Sequence, residues 1–286
     1  MSTRTSTGWL HDGIPYLKVG QGPPLLMVMG LTPEHDVPKG WQRRAMLSVS
    51  RPLTRHFAVY VVNRKRGLRP GESMSDIAGH LSNAIEHDMG EPVFLEGTST
   101  GGSVVLQLAV DRPDLVRRLV VISSAFRLGP EGRALQAEMA RRTRADGAAD
   151  AFAHMMTTML HVSGRPMQAL ARRAVSSMVP DDPTDLLVTL DAEDAFDVEA
   201  ELPQITAPTL VIGGMKDQFY PPEYFERTAA GVRDGRVHLF DGWGHMRASS
   251  SSATANLLLG FMLGEAPARS VSLPDDRLVQ SERPNA

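Results

Sequence analysis

Six short apolar runs punctuate the chain, each bounded by residues that break regular structure. They occupy 23–30, 57–62, 92–97, 119–122, 208–213 and 236–240. A run of four to six apolar residues between Pro or Gly is too short for a buried helix and fits a strand covered on both faces. Between the runs the period changes to that of a helix. Ile77, Leu81 and Ile85 recur at intervals of four, which predicts a helix over about 76–88 capped by Ser75. Similar stripes predict helices over 101–110 and 253–262. Short buried strands alternating with helices predict an α/β fold, with a mostly parallel central sheet and helices on both faces.

The alternation stops between about 127 and 206. That stretch has no strand-like run but four helix-rich segments, at 133–144, 148–161, 166–178 and 185–196, punctuated by Gly147, Gly164, Pro180 and Pro183. It reads as a helical insertion between two strands. The last stretch, 265–286, is polar, contains Pro267, Pro274 and Pro284, and is expected to be a flexible tail.

One pentapeptide carries most of the chemistry: Gly97-Thr98-Ser99-Thr100-Gly101. G-x-S-x-G is a weak pattern alone. Here it follows a predicted strand and opens a predicted helix, the setting of a nucleophile elbow. A phosphate loop is the rival reading, but it needs a lysine that 97–113 lacks. A serine nucleophile needs a base and a group to orient the base. With an elbow the order is Ser, then Asp or Glu, then His. Asp217 follows the fifth predicted strand and His245 follows the sixth, in that order. Glu223 suits a helix start better, Asp241 a turn, and His238 a place inside a strand. The backbone N–H of Thr100, next to the nucleophile, and that of Leu31, after Gly30 in the first loop, are the candidate oxyanion donors.

With its lead-in 20–24 into the run 25–30, and with the segments 97–101, 208–217 and 242–245, the chain resembles the α/β-hydrolase superfamily over about residues 8–264. The resemblance implies a serine hydrolase with a helical cap. Residues 1–126 would form the first part of the core, 127–206 the cap or lid, and 207–264 the second part of the core. Ser99, Asp217 and His245 would be catalytic, with no cofactor and no metal. The expected substrate is a carboxylic ester or lactone with an apolar acyl part. C–C bond hydrolysis, thioester hydrolysis and acyl transfer use the same groups. A small-molecule binding protein or receptor on the same fold is the alternative of another class. Two segments depart from the family's habits: Met29-Gly30 stands where His-Gly is frequent, and 63–68 replaces Asp-x-Arg-Gly-x-Gly.

Composition narrows the choice. Cysteine is absent, which excludes thiol nucleophiles, Cys-ligated metals and disulfides. The formal charge of −3 argues against a general nucleic-acid binder. No apolar run reaches the ~18 residues of a membrane span. Residues 1–13 show no apolar stretch of a secretory signal, so a cytoplasmic protein is expected, with a homodimer left open. Of the remaining features, Arg64-Lys65-Arg66 reads as a solvated loop and Trp243 as a pocket-mouth or loop-packing residue. The insertion methionines, Met139 and Met155 among them, read equally as cap packing or pocket lining, and His154 with His161 as a solvated cap face.

Overall fold

The computed structural model describes residues 5–159, 162, 164–176 and 179–264. The expected tail at 265–286, His161 and Met178 lie outside the described residues. Eight strands form one sheet: β1 (Thr5–Leu10), β2 (Ile14–Val19), β3 (Pro24–Val28), β4 (Ala58–Val62), β5 (Val93–Thr98), β6 (Val116–Ile122), β7 (Thr209–Gly214) and β8 (Gly235–Phe240). Their spatial order is β1-β2-β4-β3-β5-β6-β7-β8. The six strands expected from the apolar runs are β3 to β8, and they pair in parallel throughout. β1 and β2 form an antiparallel hairpin that extends the sheet beside β4. β1 escaped the sequence pattern because it is an edge strand, mostly open to solvent, and needs no apolar run.

Alternate residues of the central strands serve two cores. In β3, Leu26 and Val28 join the core under α2 (Met74–Ala84), α3 (Thr100–Asp111) and α8 (Pro222–Gly231). Leu25 and Met27 face the other way, toward α1 (Gly40–Ser50) and α10 (Ser252–Met262). Both faces are covered, so the strands read as continuous apolar runs. α2 starts two residues earlier than expected. Ser73, not Ser75, caps it, in a reciprocal capping box with Asp76. α1 was not legible. Its Trp41 is exposed and only Ser50 is buried, so it carries no clear apolar stripe.

Between β6 and β7 the described residues form four α-helices, α4 (Pro130–Asp146), α5 (Ala148–Met159), α6 (Arg165–Val175) and α7 (Thr184–Ala195), and a 3-10 turn at Glu199–Gln204. The α-helices share their own core of Met139, Phe152, Leu186, Leu190 and neighbours, against which Leu31 of the β3–α1 loop packs. That contact seats the helices beside the carboxyl ends of the strands. The chain leaves β3 for β4 on one side and returns to β5 on the other. The connections therefore diverge at the carboxyl ends of β3 and β5, where open α/β sheets place their ligands.

Candidate active site

Ser99 is the single residue between β5 and α3. Its φ of 53° and ψ of −126° lie where a side chain is strained, at a cost of about 1–3 kcal/mol. The turn is held by backbone: Ser99 N donates to Ile122 O at 2.8 Å and Gly102 N donates to Ser99 O at 2.6 Å. Its tightness explains the flanking glycines. A Cβ on Gly97 would stand 2.2 Å from Gly101 O, and one on Gly101 would stand 2.2 Å from Val28 O. These are backbone atoms and cannot yield.

The structure brings all three side chains of the sequence reading together. Ser99 Oγ lies 3.0 Å from His245 Nε2. His245 Nδ1 lies 2.8 Å and 3.1 Å from the two oxygens of Asp217. The carboxylate accepts a hydrogen bond from Nδ1–H, which keeps the proton on Nδ1 and leaves Nε2 unprotonated and able to accept from the serine hydroxyl. Asp217 is itself fixed, because the backbone N–H groups of Phe219 and Tyr220 both donate to its Oδ1, at 2.8 Å and 3.2 Å. Its carboxylate is wholly buried. The imidazole is packed by Phe219, ring centroids 4.7 Å apart, and stacked with Tyr220 at 6.2 Å. Ser123 Oγ and Ser249 Oγ both donate to the His245 carbonyl. The rejected alternatives lie elsewhere: His238 is within β8 against Phe240, and Glu223 is in the first turn of α8. Trp243 stacks on Phe240 at 3.9 Å, under Arg247, and so packs its loop.

Thr100 is the first residue of α3, so its N–H belongs to the free amino end of that helix. Gly30 abuts Ser99: a Cβ there would meet Ser99 Cβ at 3.3 Å. The orientation of the next peptide comes from Arg64. Its guanidinium donates to Met29 O at 3.0 Å and to Gly30 O at 3.1 Å. In a trans peptide the N–H points opposite the carbonyl. The Gly30 carbonyl faces Arg64, so the Leu31 N–H faces away from it.

Arg64 corrects the sequence reading. A run of three basic residues suggests a solvated loop, yet Arg64 is only 3% exposed. Only Lys65 and Arg66 stay toward solvent. Burial pushes the guanidinium down to about 10, against the pull of Glu193 and Asp185, so it stays charged near neutral pH. Arg64 Nε also donates to His35 Nε2 at 3.2 Å, and His35 Nδ1 pairs with Lys65 O at 2.8 Å. Burial, with Arg64 beside it, pushes His35 down to about 3, so this imidazole is neutral. Glu193, on α7, is buried against the start of α3. It accepts from Ser103 Oγ at 2.7 Å and from Tyr220 OH at 3.1 Å, and burial pushes its carboxyl up. None of Arg64, His35, Glu193 and Tyr220 had a sequence signal, because each acts through partners distant along the chain.

Among the described residues no cluster of three or more His, Asp or Glu could hold a metal ion. No described helix is long and apolar enough to cross a membrane.

Residues 30–256 match the family described as the alpha/beta hydrolase family. A relative from Stutzerimonas stutzeri (strain A1501), assigned the name carbamate hydrolase RutD, is 30% identical over 167 residues, 57% of this chain and 63% of the relative. The pimeloyl-[acyl-carrier protein] methyl ester esterase of Neisseria meningitidis (serogroup C, strain FAM18) is 32% identical over 168 residues, 53% of this chain and 63% of the esterase. The chain thus spans less than two thirds of the length of either. A solved hydrolase from Pseudomonas aeruginosa PA01 shares the fold, with a TM-score of 0.70 and 21% identity over 92% of this chain and 100% of that one.

Proposed function

The chain belongs to the alpha/beta hydrolase family, and from that premise we propose that it is a serine hydrolase acting on a carboxylic ester or lactone with an apolar acyl part. The observation that carries the reading is the 3.0 Å contact between Ser99 Oγ and His245 Nε2, with Asp217 on the far ring nitrogen. Ser99 Oγ bonds to the substrate carbonyl carbon as its proton passes to His245 Nε2. Asp217 holds the ring tautomer and offsets the imidazolium charge. The carbonyl oxygen, now negative, is met by the Leu31 and Thr100 N–H groups. The tetrahedral centre collapses, the C–O bond to the leaving alcohol breaks, and Nε2 returns its proton to that alcohol. Water then repeats the sequence on the acyl-Ser99 ester, releasing the acid and restoring the serine.

The names of the relatives agree in kind: an ester in one, a carbamate in the other, both carbonyls open to attack by an activated hydroxyl. The helices of 127–206 serve in this reading as the cap over the strand ends. The test is a hydrolysis panel run on wild type and Ser99→Ala, with aryl esters of increasing acyl length, lactones and one thioester. Turnover should fall by on the order of 10⁴-fold or more in Ser99→Ala, with the fold retained. Equal turnover in the two proteins overturns the assignment.

A further inference from the structure

One cavity lies away from the helices of 127–206, between the sheet and α1, with a volume of about 740 Å³. That is the size of a small-molecule site. Met27, Met29 and Val61 form its sheet side, and Trp41, Met46 and Val49 its α1 side. Among the described residues, none of α4–α7 borders it. Gly30 and Thr98 do. Thr98 precedes Ser99, and Gly30 abuts it. The cavity thus reaches the two neighbours of Ser99, although Ser99 and His245 themselves do not line it.

The lining also carries charged side chains nearer solvent, Glu34, Asp36 and Lys39, and two buried polar groups, Glu96 and Ser50. Glu96 stands on β5 between Leu95 and Gly97, where the strand's alternation turns it away from α3 and toward α1. It borders the cavity, is 1% exposed, and accepts a hydrogen bond from Thr98 Oγ1 at 2.5 Å. Ser50 borders the cavity from the end of α1. Its hydroxyl is buried and has no hydrogen-bond partner among the described residues. The proposed acyl transfer to Ser99 uses neither group. A carboxyl is costly to bury unless it is hydrogen-bonded. Burial pushes Glu96 up to about 8, so at neutral pH it carries a proton and can donate.

We infer that this cavity holds the acyl chain of the substrate, and that the chain is apolar along its length with a neutral polar oxygen, a hydroxyl or keto group, placed to meet Glu96. The inference rests on the serine-hydrolase reading. The acyl chain, not the alcohol, is assigned here because it stays bonded to Ser99 through both half-reactions, whereas the alcohol must leave to admit water. A charged terminus is disfavoured because the Lys39 of the lining is already paired with Asp36 at 2.6 Å and burying an unpaired ion is expensive. Specificity for the acyl group would then reside in the β3–α1 segment and not in the helical insertion.

The test uses p-nitrophenyl esters of acetic, hexanoic, octanoic and 8-hydroxyoctanoic acids, so that only the acyl part varies. In Val49→Trp, with Met46→Trp as the second variant should the first not fold, the octanoyl-to-acetyl ratio of kcat/KM should fall at least tenfold. In Glu96→Leu the preference for the hydroxylated over the plain octanoyl ester should disappear, while Glu96→Gln, still a donor, keeps part of it. In parallel, the affinity of methyl 8-hydroxyoctanoate for the Ser99→Ala protein is measured by calorimetry, with and without Val49→Trp. Unchanged ratios and unchanged affinity overturn the cavity assignment even if Ser99 is the nucleophile. Turnover that ignores Ser99→Ala overturns the hydrolase reading instead, and the calorimetric arm still decides whether the cavity binds the chain.

Discussion

Arg64 offers the sharpest quantitative test of the proposed oxyanion geometry. Its guanidinium forks onto two adjacent carbonyls, Met29 O at 3.0 Å and Gly30 O at 3.1 Å, and makes a third bond to His35 at 3.2 Å. Each bond to a charged donor is worth about 1.5–3 kcal/mol net when its partner would otherwise be buried and unpaired. Arg64→Met removes all of them and leaves the Met29 and Gly30 carbonyls without that donor. Leaving buried acceptors unpaired costs about 1–3 kcal/mol each, so roughly 3–5 kcal/mol in all. Unfolding should therefore occur roughly 6–20 °C lower, at about 2–4 °C per kcal/mol for a chain of this size. The catalytic effect is separate. The variant keeps the Leu31 N–H but releases the carbonyl behind it, so the donor loses its fixed direction. Complete loss of one oxyanion donor costs about 10²–10³ in kcat, so a misdirected one should cost about 10–10². KM, which reports the ground state, should move less than about threefold. Arg64→Lys separates the two effects: it keeps the charge opposite Glu193 but a single ammonium cannot fork onto two carbonyls. The assay is steady-state hydrolysis of an acetyl ester, with thermal unfolding by circular dichroism and inhibition by an alkyl boronic acid that mimics the tetrahedral centre. Inhibitor affinity should fall in parallel with kcat. A folded Lys or Met variant with wild-type kcat and inhibitor affinity would refute the idea that Arg64 aims the Leu31 amide.

Other outcomes follow from the same structure. Ser99→Gly should unfold at higher denaturant than Ser99→Ala, by about 1 kcal/mol, because glycine adopts φ of 53° without strain; equal midpoints would show that the turn stores none. Gly101→Ala places a Cβ 2.2 Å from Val28 O, so a loss of more than about 3 kcal/mol, or failure to accumulate folded protein, is expected in a urea titration. Asp217→Asn should retain the fold and lower kcat by about 10³–10⁴, because the amide no longer selects the ring tautomer; a loss under tenfold in ester turnover argues for another orienting acid. Glu96 is held near pKa 8 when folded, above the usual value of 4.5, so the folded protein binds the extra proton. Its contribution to stability is whole below about pH 4.5 and is lost as pH rises through about 8. Urea midpoints of wild type should decline across that window more steeply than those of Glu96→Gln, and parallel curves would show that Glu96 is not buried as a neutral acid.

How much of this was legible beforehand depended on whether a feature is local. The buried strands β3 to β8 could be read because a strand covered on both faces must be apolar at every position, and prolines and glycines mark its ends. The elbow could be read because so tight a turn excludes a Cβ at Gly97 and Gly101. Asp217 and His245 could be read from their places after β7 and β8, since parallel strands bring successive carboxyl ends to one edge. Other features depend on residues far apart in the chain. The edge strand β1 is paired rather than buried, so no apolar run announces it. Arg64 looked like one charge in a basic loop. It is buried because the carbonyls of Met29 and Gly30 and the ring of His35 converge on it in space. Glu96 sat unnoticed in an apolar run, since its meaning depends on the cavity that α1 leaves beside it. Local backbone constraint and periodicity leave a mark on neighbouring residues, whereas burial of a charge is a property of surroundings that only folding assembles.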